Sequence, residues 1–157
     1  MDKSVNIEIS PELEWVRPYV KMVSSYIPKN KKITKIHLCR LQKYKRNDFW
    51  GLCTTPDNRN YAISIYKDYW SIKSWSKKPS ERKRVAKRFS KLDILQTLIH
   101  EIAHVTHWDH TPARMALECK MMARVCKQLE KEGYVSEEDE MKEFKQSKDI
   151  ARLKELK

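Results

Sequence analysis

The chain reads as an α+β protein, and three observations predict it. A proline-punctuated helical pattern comes first, three short alternating segments follow, and from about residue 90 onward the apolar spacing is helical. At 157 residues, with 40% apolar and 34% charged content, the sequence has the size of one domain with its own core and an unusually wet surface. We divide it into a folded domain over residues 1–135 and a helical extension over 136–157.

The first element is ISPELEWVRPYVKMVSSYIP. Ser10 is placed as a cap, Pro11 takes the first helical position, apolar residues recur at 13, 16, 20, 23 and 27, and Pro28 ends the run. In KITKIHLCRL the residues Ile36 and Leu38 alternate with His37 and Cys39, as in a half-buried strand. FWGLCTT and NYAISIY read as two more strands joined by the turn-forming PDNRN. Three strands in succession predict a small, mainly antiparallel sheet. Ser90 and Asp93 then form a capping pair for LDILQTLIHEIAHV, whose apolar residues 92, 95, 98, 99, 102 and 105 share one face. Thr111 and Pro112 restart a helix that runs to Gly133, and Ser136 begins the last one. Cys119 and Cys126, seven apart on the restarted helix, are expected in the core, and Met115, Met121 and Met122 on the same helix as packing residues.

Composition narrows the function classes. No segment approaches the roughly 18 apolar residues of a membrane span, and MDKSVNIEIS lacks the pattern of a secretory leader. Cys39, Cys53, Cys119 and Cys126 contain no CxxC pair and match neither a disulfide framework nor a zinc ribbon, so a cytoplasmic, reducing location is expected. The formal charge of +12 is uneven: residues 1–91 hold 22 Lys/Arg against 8 Asp/Glu, and residues 92–157 hold 11 against 13. Its densest portion, KKPSERKRVAKRFSK (77–91), follows the aromatic YKDYWSIKSW. Cations interleaved with Trp and Tyr form a candidate surface for DNA or RNA, set against the plainer reading of a solvated loop or helix face.

The chemistry concentrates in LQTLIHEIAHVTHWDHTPAR, which carries four of the five histidines. HEIAH (100–104) is H-E-x-x-H on a helix: one turn puts His100 and His104 on the same face, where two imidazoles can converge on a Zn²⁺. Glu101, offset by one residue, is placed to take a proton from an attacking water and pass it to a leaving amine. A third ligand is needed. His107 lies roughly 10 Å along the axis from His100 if the helix continues, too far for one ion. The restart at Thr111 demands a turn after about residue 105, which can bring His110 back; Glu118 and Asp109 are the rivals. In metzincin peptidases a Gly makes this turn, and here His107 stands in its place, a residue type that tolerates left-handed backbone.

LIHEIAHVTHWDHTPARMAL resembles the zinc-site segment of the SprT-like, WLM and YgjP-like small metallopeptidases, and GLCTTPDNRNYAISI resembles the hairpin those domains place before the active helix. The resemblance covers about residues 35–125 and implies Zn²⁺ on His100, His104 and His110, with Glu101 as general base and a protein or peptide as substrate. It implies, too, an edge strand that pairs with extended substrate, for which Tyr61–Tyr66 is the candidate. Some members cleave proteins crosslinked to DNA through an added zinc ribbon or DNA-binding part. This chain has no such ribbon, and the basic, aromatic run 66–91 is its candidate substitute. Tyr66, His107 and Arg114 are candidates for stabilising an oxyanion. The alternative function is a nucleic-acid-binding module with a structural or vestigial zinc site.

Overall fold

The computed structural model describes residues 4–41, 50–74 and 83–134. Residues 77–82 of the basic run and the expected extension 136–157 lie outside the described residues. Strand β1 (Glu8–Ile9) leads into a 3₁₀ segment (Pro11–Val16), helix α1 (Arg17–Val23) and a 3₁₀ turn (Ser24–Tyr26). Strands β2 (Lys32–Cys39), β3 (Gly51–Thr54), β4 (Asn60–Tyr66), β5 (Asp68–Ser74) and β6 (Lys83–Arg88) follow, then helices α2 (Lys91–Thr106) and α3 (Pro112–Lys131). The fold is α+β, as expected. No helix among the described residues is long and apolar enough to cross a membrane.

The first helix differs from its expected form. Arg17 N–H donates to the Glu14 carbonyl three residues back, the bond that Pro18, lacking an N–H, is unable to make four residues back. The segment is therefore 3₁₀ up to Val16 and α-helical only afterwards. Ser10 does not cap it through its side chain; its Oγ accepts from Leu38 N–H at 2.9 Å and stitches the segment to β2.

The main sheet has the order β1-β2-β4-β3. The β3–β4 hairpin is antiparallel as expected, and its turn is made by Asn58 at φ 60° with Asp57 Oδ1 accepting from Arg59 and Asn60 N–H. The expectation of a mainly antiparallel, three-stranded sheet is corrected, because β2 runs parallel to both β1 and β4. In this order β3 takes the edge and Tyr61–Tyr66 is an interior strand between β2 and β3. Tyr61, Ile63 and Ile65 are buried, as befits a core strand.

Helices cover the core face of this sheet. Leu95, Leu98, Ile99, Ile102 and Val105 of α2 are essentially inaccessible, each worth about 1.5–3 kcal/mol if fully buried. From α3 the buried stripe is Met121, Val125 and Leu129, spaced by four. That stripe leaves Cys119, Cys126 and Met115 on the outer side, all exposed, which corrects their expected burial. The basic run also holds a strand where a loop or helix face was expected: β6 pairs antiparallel with β5. Phe89 anchors the base of that hairpin, its N–H donating to Lys67 O at 2.8 Å and its ring lying 4.7 Å from Tyr69.

Candidate metal centre

Helix α2 begins as the sequence predicts, with Ser90 Oγ accepting from Asp93 N–H at 3.0 Å. Its end is enforced from outside. Lys31 Nζ donates to the Val105 carbonyl at 2.9 Å, a cation on the negative end of the helix, and Thr106 Oγ1 donates to the Tyr26 carbonyl. His107 makes the last helical bond, to Ala103 O, and leaves the helix at φ −128°, ψ 97°. The turn uses no left-handed residue: an extended residue suffices at His107, and glycine is not needed there. Thr111 N–H donates to Asp109 O at 2.9 Å, closing a tight turn centred on His110, and Thr111 Oγ1 then caps α3 by accepting from Arg114 N–H.

This corner brings His100, His104 and His110 together, with one ligand atom from each within 4.8 Å of the others. His100 and His104 are half-buried and His110 is exposed. The hydrogen bonds fix the tautomer of His104 and leave two for His100. His104 Nδ1 lies 2.7 Å from the Trp108 carbonyl, an acceptor only, so Nδ1 carries the proton and Nε2 presents a lone pair. His100 Nδ1 lies 3.3 Å from Glu118 and 3.1 Å from Arg114 Nη1. When it donates to the carboxylate, His100 Nε2 also presents a lone pair, facing His104 Nε2 at 3.2 Å. Two lone pairs at that distance require a cation between them. Tetrahedral ligands about 2.0–2.1 Å from Zn²⁺ stand about 3.3 Å apart, so the donor types fit the metal and the His100–His104 spacing matches it. Without metal, Arg114 donating to His100 Nδ1 and one proton between the Nε2 atoms satisfies the same geometry.

Each remaining candidate has a different place. Glu118 faces the Nδ1 side of His100 and accepts from Arg114 Nη1 at 2.7 Å, so it orients a ligand rather than joining the three histidines. Asp109 is exposed on the rim. Arg114, one of the few buried charges, has its Nε unpaired among the described residues and lies behind His100, away from the Nε2 atoms. Tyr66, His107 and Arg114 do not line the cleft described next, so none of the three is positioned there to meet an oxyanion.

No protein-family model, curated protein or solved structure matches the chain.

What the site can do therefore rests on its own chemistry. A cleft of about 440 Å³ opens beside the histidines, and a second of about 320 Å³ adjoins it, the two sharing Gly51, His100 and Glu101. Glu101 is 6% exposed, and burial pushes its carboxyl up to about 7, against the pull of Arg114 and assisted by Glu118. A carboxyl in that range can take up and release a proton near neutral pH. Burial also holds His104 below the usual histidine range, which favours the neutral ligand form. The neighbouring Cys53 thiol, pushed up to about 12 by burial and by Glu101, stays protonated.

Sequence reasoning missed Gly51. A Cβ there would lie 2.6 Å from Thr97 Cγ2, 3.1 Å from Ser64 O and 3.3 Å from Glu101 Cγ. Only glycine lets β3 approach α2 this closely, which sets the edge strand directly against Glu101. The signal was available: Gly51 is one of two glycines in the chain and opens the strand before the histidine helix.

Proposed function

We propose that this chain is a zinc-dependent endopeptidase of the SprT-like type, cutting polypeptide with a water activated at the metal and Glu101 as general base. One observation carries the reading: three histidines converge beside a buried carboxylate in an open cleft. Structural zinc sites are generally closed by four protein ligands, whereas three ligands and an adjoining cavity leave room for water and substrate.

His100, His104 and His110 would hold the ion, which when bound supplies Lewis acidity that acidifies a water and polarises a carbonyl. The chain's own groups do the rest. Glu101 accepts the proton from the attacking water and returns it to the leaving amine, and its burial matches its affinity to both tasks. Trp108 O and Glu118 keep the Nδ1 protons on His104 and His100, holding both rings with Nε2 towards the cleft. The edge of β3, which pairs with no second strand among the described residues, offers its backbone to an extended substrate, the role first assigned to Tyr61–Tyr66.

The test is metal analysis and proteolysis on wild type beside Glu101→Gln. Near one zinc per chain in both, with cleavage only in wild type, is the expected result; cleavage retained in Glu101→Gln would sink the mechanism. The exposed Lys87 and Arg88 favour a second reading, nucleic-acid binding, either alone with a vestigial metal site or as recruitment to nucleic-acid-associated proteins. Binding to DNA or RNA that falls steeply with salt, with no protein cut in its presence, would favour the module alone.

A further inference from the structure

Five large apolar side chains are exposed among the described residues: Val5, Trp50 (52% exposed), Leu52 (44%), Trp108 (51%) and Met115 (59%). Three of them line the clefts. Trp50 lies in the smaller one, and Leu52 and Trp108 in the larger, on opposite sides of the shared Gly51. The two tryptophans are open to solvent yet held in place. Trp50 packs at 4.8 Å on the buried Phe89, and Trp108 lies 6.2 Å from His104 and 6.3 Å from Tyr61. Aromatic rings fixed on one face and open on the other bind apolar groups at small entropic cost.

The lining has a second property. In a chain with 33 Lys and Arg, the described residues of both clefts include none, while Glu101, Asp109 and Glu118 contribute carboxylates. A polyanion gains nothing from such walls, so nucleic acid is not the occupant. Glu118 is already neutralised by Arg114, and a bound ion would offset the other carboxylates, so apolar contact decides selectivity here.

We infer that the cleft selects an extended polypeptide segment with a large apolar side chain on each side of the bond to be cut, Trp50 reading one side and Trp108 the other. The inference rests on the endopeptidase reading and names its substrate class: in folded proteins such side chains are buried, so the substrates are unfolded or locally opened chains. Gly51 belongs to the device. It lines both clefts, and its lack of a side chain lets β3 sit against α2 beside Glu101 at their junction.

The experiment uses the zinc-loaded full chain and a set of fluorogenic peptides identical except at the two flanking positions, which carry Leu/Phe, Ala or Asp. Wild type should cut the Leu/Phe peptide roughly 10- to 100-fold more efficiently in kcat/KM than the Ala peptide, the range that one apolar pocket contact supports. Trp50→Ala should collapse the preference at one flank, and Trp108→Ala at the other. Trp50→Phe, which keeps the contact with Phe89, should retain most of it and controls for folding. Equal cutting of the Leu/Phe and Ala peptides by wild type, or loss of preference at both flanks in both variants, would overturn the inference. Anisotropy with the same peptides on zinc-loaded Glu101→Gln separates the two readings. Apolar-selective binding with no cutting by wild type would sink the peptidase and keep the occupant; cutting without selectivity would do the reverse.

Discussion

The histidine corner and the β5–β6 hairpin are both rich in polar groups, and they are built on opposite plans. At the corner the polar atoms answer one another: Lys31 closes the end of α2, Trp108 O holds His104, and Glu118 holds His100 and Arg114. On the hairpin the backbone ladder and the Phe89 anchor pair the strands, and Lys87 stands exposed on its surface. Density of charge therefore says little about where chemistry occurs. Convergence of lone pairs on one point says a great deal, because it costs stability unless something binds there.

The largest effects are expected where convergence is broken. His110→Ala should lose stoichiometric zinc, and with it peptide cleavage, while Glu118→Ala keeps near one zinc per chain. Metal analysis after gel filtration checks this, and retention of zinc by His110→Ala would move the third ligand elsewhere. Glu101→Gln should keep the metal and lose about 10²- to 10⁴-fold in kcat. Glu118→Gln comes next. Its effect should be a 10- to 100-fold weaker zinc affinity, read by competition with a chromophoric chelator. It also leaves the buried Arg114 short of its partner, for about 1–3 kcal/mol of stability given that Glu118 is partly exposed.

These two regions also differ in how much the sequence reveals. The corner was legible because its constraints are local: HEIAH spans one turn, Thr111 and Pro112 mark a restart, and helix rise removes His107 from the ligand set. The way the chain turns was not legible, since the stop is imposed by Lys31, 74 positions away in sequence. Strand existence was legible for β2, β3 and β4 from period-two alternation. Pairing was not, because alternation fixes which face a residue takes and leaves open which neighbour the strand meets. That is how Tyr61–Tyr66 was taken for the edge, a place that belongs to the shorter β3. Strands β5 and β6 were missed because Lys and Arg fill β6, and charged positions give little hydrophobic period to read.

Between the two regions sits Gly51, which tests whether the corner depends on the strand beside it. Gly51→Ala should cost about 1–3 kcal/mol through overpacking and lower kcat/KM, with zinc still bound. The closest obstacle is the Thr97 methyl, so Thr97→Ser in the same chain should restore part of the loss, measured as Tm and kcat/KM together. No rescue would shift the blame to the Ser64 carbonyl, which has no room to give.

The smallest effect is expected on the hairpin. Lys87→Gln with Arg88→Gln removes two exposed charges that line neither cleft, so cleavage of a short peptide should change by less than about two-fold. Cleavage of a protein carried on single-stranded DNA is the sharper assay. If the hairpin recruits nucleic acid, the double variant should lose activity there at low salt, and the loss should vanish as salt rises, while the peptide rate stays level. A large loss on the short peptide would mean instead that the hairpin supports the cleft through Phe89 and Trp50, and the division between a chemical corner and an electrostatic surface would have to be redrawn.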